Sequence, residues 1–314
     1  MHTLNIIGAG NLGRTLGRLW CERQVFQIGS VYNRSLASAR EAVAFIGGGT
    51  AAAHIDAMPP ADFWLIATPD DHIEAAAQAL AVHLQALQKP VGASTPTPKP
   101  TPTSTPVVFH CSGAMASSVL TDCLPARIAS AHPVHSFADP ARSLNDFPGS
   151  YIALEGEASA RSLLEKAFTT LGGCCFTLSP EQKVLYHTGS VMACNYLTVL
   201  MDLSLRTFSA AGIDENTARK LLGPIVVKTA QNNIALGPEK ALTGPLVRGD
   251  IRTVARQLDA LSQLSESAPR ATSPTLAEAY RLLGKAALPL AQKAGLNADA
   301  TQKLHTLFDE QTRE

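Results

Sequence analysis

An excess of charge of one sign is what this chain most plainly lacks: 26 Lys and Arg balance 26 Asp and Glu, and no basic run breaks the balance. Such a chain offers no electrostatic footprint for nucleic acid or an anionic membrane surface, and neither is expected as a partner. No apolar run is long enough to span a bilayer, so no membrane-spanning helix is expected. Six cysteines are present (Cys21, Cys111, Cys123, Cys174, Cys175 and Cys194), but they form no Cys-x-x-Cys pair and show no paired-histidine spacing. A structural zinc site is therefore not expected, and the thiols read as reduced and mostly buried, in a cytoplasmic protein. A signal peptide has no room either, because the first apolar strand opens at Leu4. What remains is 314 residues, 46% of them apolar, enough for a large core and two domains.

The most informative stretch lies at the start. Leu4-Asn-Ile-Ile-Gly8-Ala-Gly10-Asn11-Leu12-Gly13 puts a short strand directly before a Gly-x-Gly-x-x-Gly turn, and an amphipathic helix follows. In such a turn Gly8 permits the tight bend, Gly10 admits a pyrophosphate against backbone, and Gly13 lets the helix lie close on the strand. Asn11 and Leu12 open the helix, whose unpaired N–H groups and positive dipole end favour phosphate. Flanked by strand and helix, the three glycines point to a dinucleotide site. A second strand over 27–32 ends in Asn33-Arg34-Ser35. NAD-preferring sites place a carboxylate here for the ribose hydroxyls, and this chain has none. Asn33 is neutral, Ser35 adds a hydroxyl, and the planar fork of Arg34 suits a phosphate, with Arg40 one turn further on. The cofactor expected is NADP(H); the alternative is an ordinary surface arginine opening a helix.

Strand and helix signals alternate through residues 1–178, the pattern of a Rossmann-like, doubly wound parallel sheet. Strands are expected over 49–52, 62–68, 107–111, 127–131, 151–155 and 174–178, and helices over 35–46, 72–87 and 159–171. Residues 89–106 interrupt the plan with six prolines and seven Ser or Thr, and read as an extended insertion. From Ser179 the strand signals stop. Ser179-Pro180-Glu181 pairs a hydroxyl N-cap with proline at the first helical position, and the helix it opens runs to about Ala211 before Gly212. Further helices are expected over 214–235, 250–266, 274–294 and 298–309, with Asp214, Asp250 and Ser273 as N-caps. Residues 179–314 thus read as an all-α domain. Its long apolar first helix needs cover from neighbours or a second subunit, and a homodimer is expected through it.

Chemistry-bearing residues gather where the strand ends of such a sheet would face the helical domain. Thr68 and Pro69, before Asp70-Asp71-His72, suit a nicotinamide ribose or form a simple strand-ending turn. Ser112 can donate to and accept from a substrate oxygen, and Gly113 leaves space for it. His132 and His135, locked by Pro133, can hold a substrate or move a proton near neutral pH, or can be structural. No carboxylate cluster accompanies them, so no metal is expected. Lys183 and His187 stand i, i+4 on one face of the long helix, with Ser190 a turn on. Lys183 is the candidate general acid, its pKa lowered by desolvation, or an exposed residue at a solvated helix start. Arg248, in Leu242-Thr-Gly-Pro-Leu-Val-Arg248-Gly-Asp250, can clamp a substrate carboxylate or phosphate, or can merely pair with a capping Asp250.

These residues resemble the superfamily of 6-phosphogluconate dehydrogenase-like, two-domain NADP oxidoreductases. Its members include pyrroline-5-carboxylate reductase, ketopantoate reductase, prephenate dehydrogenase and deazaflavin-dependent NADP reductases. Gly8-Ala-Gly10-Asn-Leu-Gly13 with Asn33-Arg34-Ser35 looks like the NADP-preferring first domain. His132-Pro133 with Ser136-Phe137, and Leu242-Thr-Gly-Pro…Arg248-Gly-Asp250, look more closely like a group that joins a Rossmann-like domain to a helical domain of unknown function. The resemblance implies that Ser112 and His132 stand where prephenate dehydrogenases place a serine and a His-Pro histidine against substrate. It implies that Lys183 and His187 match a Lys-x-x-x-Asn pair of 6-phosphogluconate and hydroxyacid dehydrogenases, with His in place of Asn. Pyrroline-5-carboxylate reductases typically lack this lysine, which counts against proline synthesis. The expected function is an NADPH-dependent oxidoreductase that passes a hydride to a small carbonyl or imine compound bound between the domains. The alternatives are a non-catalytic, NADP(H)-binding regulatory protein and a flavin or deazaflavin partner enzyme.

Overall fold

The computed structural model describes residues 1–88, 105–266 and 275–309; most of the 89–106 insertion, and the cap expected at Ser273, lie outside the described residues. Two compact units divide the chain, Met1–Ala193 and Cys194–Glu314. The division falls inside a 28-residue helix, α6 (Lys183–Ala210 in the numbering below), and not at Ser179 where strand signals stop.

The first unit holds eight strands: β1 (His2–Ile7), β2 (Phe26–Tyr32), β3 (Thr50–Ala52), β4 (Phe63–Ile66), β5 (Val107–His110), β6 (Arg127–Val134), β7 (Tyr151–Gly156) and β8 (Cys174–Thr177). Their order in the sheet is β3-β2-β1-β4-β5-β6-β7-β8. Every position of β4 and β5 is buried, as in parallel strands covered on both faces. Alternation then assigns the faces: Ile6, Leu65 and Phe109 join one core, while Ile7, Ile66 and Val108 join the other.

On the first face pack α1 (Asn11–Glu22), α2 (Leu36–Ile46) and α5 (Ala158–Thr169). Trp20 sits at its centre, edge-on to Phe26 at 5.3 Å and Phe168 at 5.2 Å, and its Nε1 donates to the Ala167 carbonyl at 3.2 Å. The second face takes α3 (Ile73–Gln88), whose Ile73, Ala77, Leu80 and Leu84 pack with Trp64. The architecture is the expected doubly wound α/β sandwich. Because β1 neighbours both β2 and β4, the chain reverses its direction of winding there and opens a crevice beyond the strand ends.

The far edge of the sheet departs from the parallel pattern. β1 to β6 are parallel, but β7 runs antiparallel to β6, and β8 runs with β7. Between β6 and β7 stands only the short α4 (Pro140–Asp146), capped by Asp139, too brief to carry the chain across a face for a parallel return. β6 also runs three residues beyond its expected end, so His132 and Pro133 lie on the strand itself.

α6 (Lys183–Ala210) leaves the sheet after a single tight turn, Pro180–Gln182, closed by a Ser179–Gln182 capping box. The second unit continues with α7 (Glu215–Leu236), α8 (Pro238–Ala241), α9 (Ile251–Glu266), α10 (Leu276–Lys293) and α11 (Ala298–Asp309). Its core is Val254, Leu258, Leu288, Ala291, Leu304 and Phe308 with their neighbours. Asp214 and Asp250 cap helices as expected, each accepting a backbone N–H at 3.1 Å, and Thr275 caps α10. Among the described residues no helix is long and apolar enough to cross a membrane.

Candidate nucleotide and proton-transfer site

Each of the three glycines of the first turn has a separate physical reason. Gly8 has φ +88°, and a Cβ there would lie 2.7 Å from Thr68, at the end of the neighbouring strand β4. A Cβ on Gly13 would meet the Gly8 carbonyl at 2.9 Å, so only glycine lets α1 lie this close on β1. Gly10 has nothing within 4 Å of its missing Cβ, and that side of the turn is open. Gly10 is also the N-cap of α1 and provides no side chain to its first turn, where no acidic residue stands. Thr68 Oγ1 is buried beside this turn without a hydrogen-bond partner. A cradle open at Gly10, uncapped helix N–H groups and an unpaired hydroxyl fit a dinucleotide phosphate.

The end of β2 divides its labour. Asn33 Oδ1 accepts from the Ala9 N–H at 2.6 Å and its Nδ2 donates to the Ser38 carbonyl at 3.0 Å, bracing the glycine turn against α2. Ser35 caps α2, accepting from the Ser38 N–H. Arg34 is exposed and makes no hydrogen bond or ion pair among the described residues, which leaves its guanidinium available. Asn11 Nδ2 donates to the Phe137 carbonyl at 2.9 Å. Leu12 packs against the core, and Pro69 is exposed at the crevice.

A buried polar network lies at the ends of β5 and β6. Lys183 is 0% exposed; its Nζ donates to Ser130 Oγ at 2.7 Å and to the Ser112 carbonyl at 3.1 Å. Burial holds this ammonium below the ordinary lysine range, against the opposing pull of Glu155, Cys111 and Asp70. Glu155 is itself buried on β7 and accepts from the N–H and Oγ of Ser117 at 2.6 and 2.8 Å. Ser112 Oγ donates to Asp70 Oδ2 at 2.7 Å and accepts from the N–H groups of Ala114 and Met115. With its one donor and two lone pairs engaged, Ser112 shapes the turn that carries Gly113. It has no bond to spare for a substrate oxygen.

His132 and His187 meet over that glycine. Their ring centroids are 5.4 Å apart and perpendicular, and a Cβ on Gly113 would collide with His132 Nε2 and His187 Nδ1. Burial, reinforced by His187 and Lys183, pulls the His132 pKa down to about 4, so the ring is neutral at neutral pH. His187 Nδ1 is buried without a partner. His132 Nδ1 lies 2.8 Å from the phenol oxygen of Tyr186.

His135 does not join them. One residue past the end of β6, it packs instead with Phe137 and Phe147, its Nδ1 3.1 Å from Ser150 Oγ. Arg248 belongs to the second unit, exposed just before Asp250, which caps α9 through Thr253. Tyr186, Asp70 and Glu155 escaped the sequence reading as functional residues. Tyr186 had a usable signal, standing i+3 from Lys183 on the same helix face. So did Glu155, a charge ending an apolar strand, where burial demands partners. Among the described residues no group of three or more His, Cys, Asp or Glu can hold a metal.

Comparison with known proteins gives a family match that crosses the division between the two units. Residues 150–287 match DUF2520, a domain of unknown function, so the matched segment begins at β7. BF3122 of Bacteroides fragilis, a candidate NADP oxidoreductase, is 19% identical, with TM-score 0.70 over 93% of this chain and 97% of that one. The 1-pyrroline-5-carboxylate reductase of Streptococcus pyogenes is 12% identical, with TM-score 0.55 over 98% and 97%. A reductive aminase of Aspergillus terreus, in complex with NADPH and ethyl-5-oxohexanoate, is 17% identical, with TM-score 0.55 over 98% and 93%. At these identities the likeness is one of fold. No curated protein matches the sequence.

Proposed function

We propose that this chain, a Rossmann-like unit followed by helices and carrying DUF2520, is a cytoplasmic NADPH-dependent oxidoreductase for a small carbonyl or imine substrate. One juxtaposition carries the reading: a phosphate cradle open at Gly10, and the enclosed Lys183 cluster at the ends of β5 and β6 of the same sheet. NADPH, when bound, supplies a hydride. The chain does the rest. Gly8, Gly10, Gly13 and the α1 N–H groups hold the pyrophosphate, Thr68 offers its unpaired hydroxyl, and Asn33 and Ser35 keep the frame on which Arg34 meets the 2′-phosphate.

Lys183 and His187 divide the general-acid role expected of either. Lys183, enclosed and bonded to Ser112 and Ser130, fixes the two turns and keeps positive charge beneath them. His187 has the unpaired ring nitrogen and, in its doubly protonated form, hands one proton to the substrate oxygen or nitrogen as hydride reaches carbon, and is left neutral. The six free thiols accord with a reducing compartment.

Assembly completes the reading. α6 and α7 expose Leu185, Met192, Ile225 and Ile234, among others, well beyond what monomers usually show. Helices of 28 and 22 residues are about 42 and 33 Å long, enough to bury a standard dimer interface against a second copy of the chain.

Calorimetry with NADPH and NADH tests the cofactor. Wild type is expected to prefer NADPH, and Arg34→Ala to lose about tenfold to a hundredfold for NADPH alone. No association with NADPH sinks the proposal. Tight binding with no loss of NADPH absorbance on addition of any keto or imino compound makes the protein a sensor of the nucleotide instead.

A further inference from the structure

The phenol of Tyr186 has no part in the reading above. Its Oη lies 2.8 Å from Nδ1 of His132, the rings perpendicular with centroids 5.6 Å apart. A neutral imidazole carries one N–H, and the bond at Nδ1 decides which nitrogen holds it. Either Tyr186 donates to Nδ1, which places the ring hydrogen on Nε2, or Nδ1–H donates to the phenol and leaves Nε2 bare.

The surroundings choose between these. Tyr186 is partly buried, and its Oη has no second hydrogen-bond partner among the described residues. Burial pushes this phenol up to about 12, so it keeps its hydrogen at neutral pH. Were Nδ1 the donor, that hydrogen would be left with no protein acceptor. At the opposite edge of the ring, Nε2 lies over Gly113, whose lack of a Cβ lets it and the unpaired His187 Nδ1 both come close to the backbone there. A donor at Nε2 therefore points over Gly113, toward the side on which His187 Nδ1 stands unpaired.

We propose that Tyr186 is a positioning residue: by donating to Nδ1 it holds His132 as the Nε2–H tautomer, which offers a neutral donor over Gly113 to the oxygen or nitrogen of a carbonyl or imine. The nature of that acceptor rests on the oxidoreductase reading; the tautomer does not. His187 and Lys183 from α6 and His110 from β5 surround the ring, and each works against a charge on His132 or on one another. The ring thus polarises a C=O or C=N unit by a hydrogen bond, with no covalent bond formed and no charge gained.

Long-range proton–nitrogen correlation spectra of the full chain read the ring directly, with His132 identified by the signal lost in His132→Gln. Near neutral pH, Nδ1 is expected at the shift of a bare nitrogen and Nε2 at that of a protonated one. In Tyr186→Phe the two tautomers mix, and the His132 titration midpoint rises by about one pH unit, the equivalent of one neutral hydrogen bond to the uncharged ring. A wild-type ring protonated at Nδ1 overturns the proposal. So does a Tyr186→Phe variant with tautomer and midpoint unchanged. Should that variant not fold, the wild-type spectrum decides alone. The measurement uses neither substrate nor cofactor, so it can fail while the oxidoreductase reading survives, and the reverse.

Discussion

In the first unit Trp20, Trp64, Phe109 and Phe168 are sealed at 0% exposure, while on α7 of the second Ile225 and Ile234 stand 62% and 88% exposed. Both units are rich in apolar side chains, yet they find cover differently. A sheet with helices on both faces encloses its core within one chain, and α1, α3 and α5 close over β4 and β5. In the second unit α9, α10 and α11 enclose a smaller core, while α7 buries only Ala218. The lesson is that apolar content measures how much surface must be covered, and topology decides whether the chain can cover it alone.

That contrast can be broken most forcefully from the sheet side. Trp20→Ala removes the ring that joins Phe26, Phe109 and Phe168, and is expected to cost about 3–5 kcal/mol of unfolding free energy. Denaturation followed through Trp64, which lies in the same unit, measures it; a loss under 1 kcal/mol would mean the sheet core is not the closed structure described.

Acid should sharpen the contrast next, through His110. Its folded pKa is drawn down to about 4 from an ordinary value of 6.5, chiefly by burial. Between these values the unfolded chain binds a proton that the folded one does not, so stability is lost as pH falls from about 6.5 to 4. His110 alone contributes roughly 3 kcal/mol to that loss, and His132 acts in the same direction. His110→Gln should flatten this part of the pH–stability curve, and an unaltered slope would remove the buried histidine as its cause.

The smallest of the three effects concerns the helical face. Ile225→Glu is expected to weaken dimerisation by at least about a hundredfold, read by sedimentation equilibrium, with helix content kept. A wild-type protein that sediments as a monomer would leave α6 and α7 without the cover proposed here.

The fold was legible because its signals are local. The order of strands and helices, the glycine spacing and the caps Asp214 and Asp250 depend on residues a few positions apart, and each appears where expected, though β6 runs longer and β4 shorter than expected. The site was legible only in part. Ser112, His132, Lys183 and His187 do converge, but the sequence could not show that Ser112 spends its hydroxyl on Asp70, 42 residues away. Nor could it show that β6 extends through His132 to Val134, or that His135 just beyond it packs into an aromatic cluster. Asn33 has a brace the sequence could not show, because its partner Ala9 stands 24 residues away.

By itself the sequence determined the alternating strands and helices followed by helices alone, the Gly8–Gly13 turn and an arginine where NAD-preferring chains place an acid. Those follow from backbone preferences and side-chain chemistry acting over one strand or one helical turn. Tertiary structure alone decided which hydroxyls remain free, which way β7 runs, and which ring nitrogens meet over Gly113. A hydrogen bond between distant segments has no sequence spacing to betray it, and burial fixes its partners only when the segments meet.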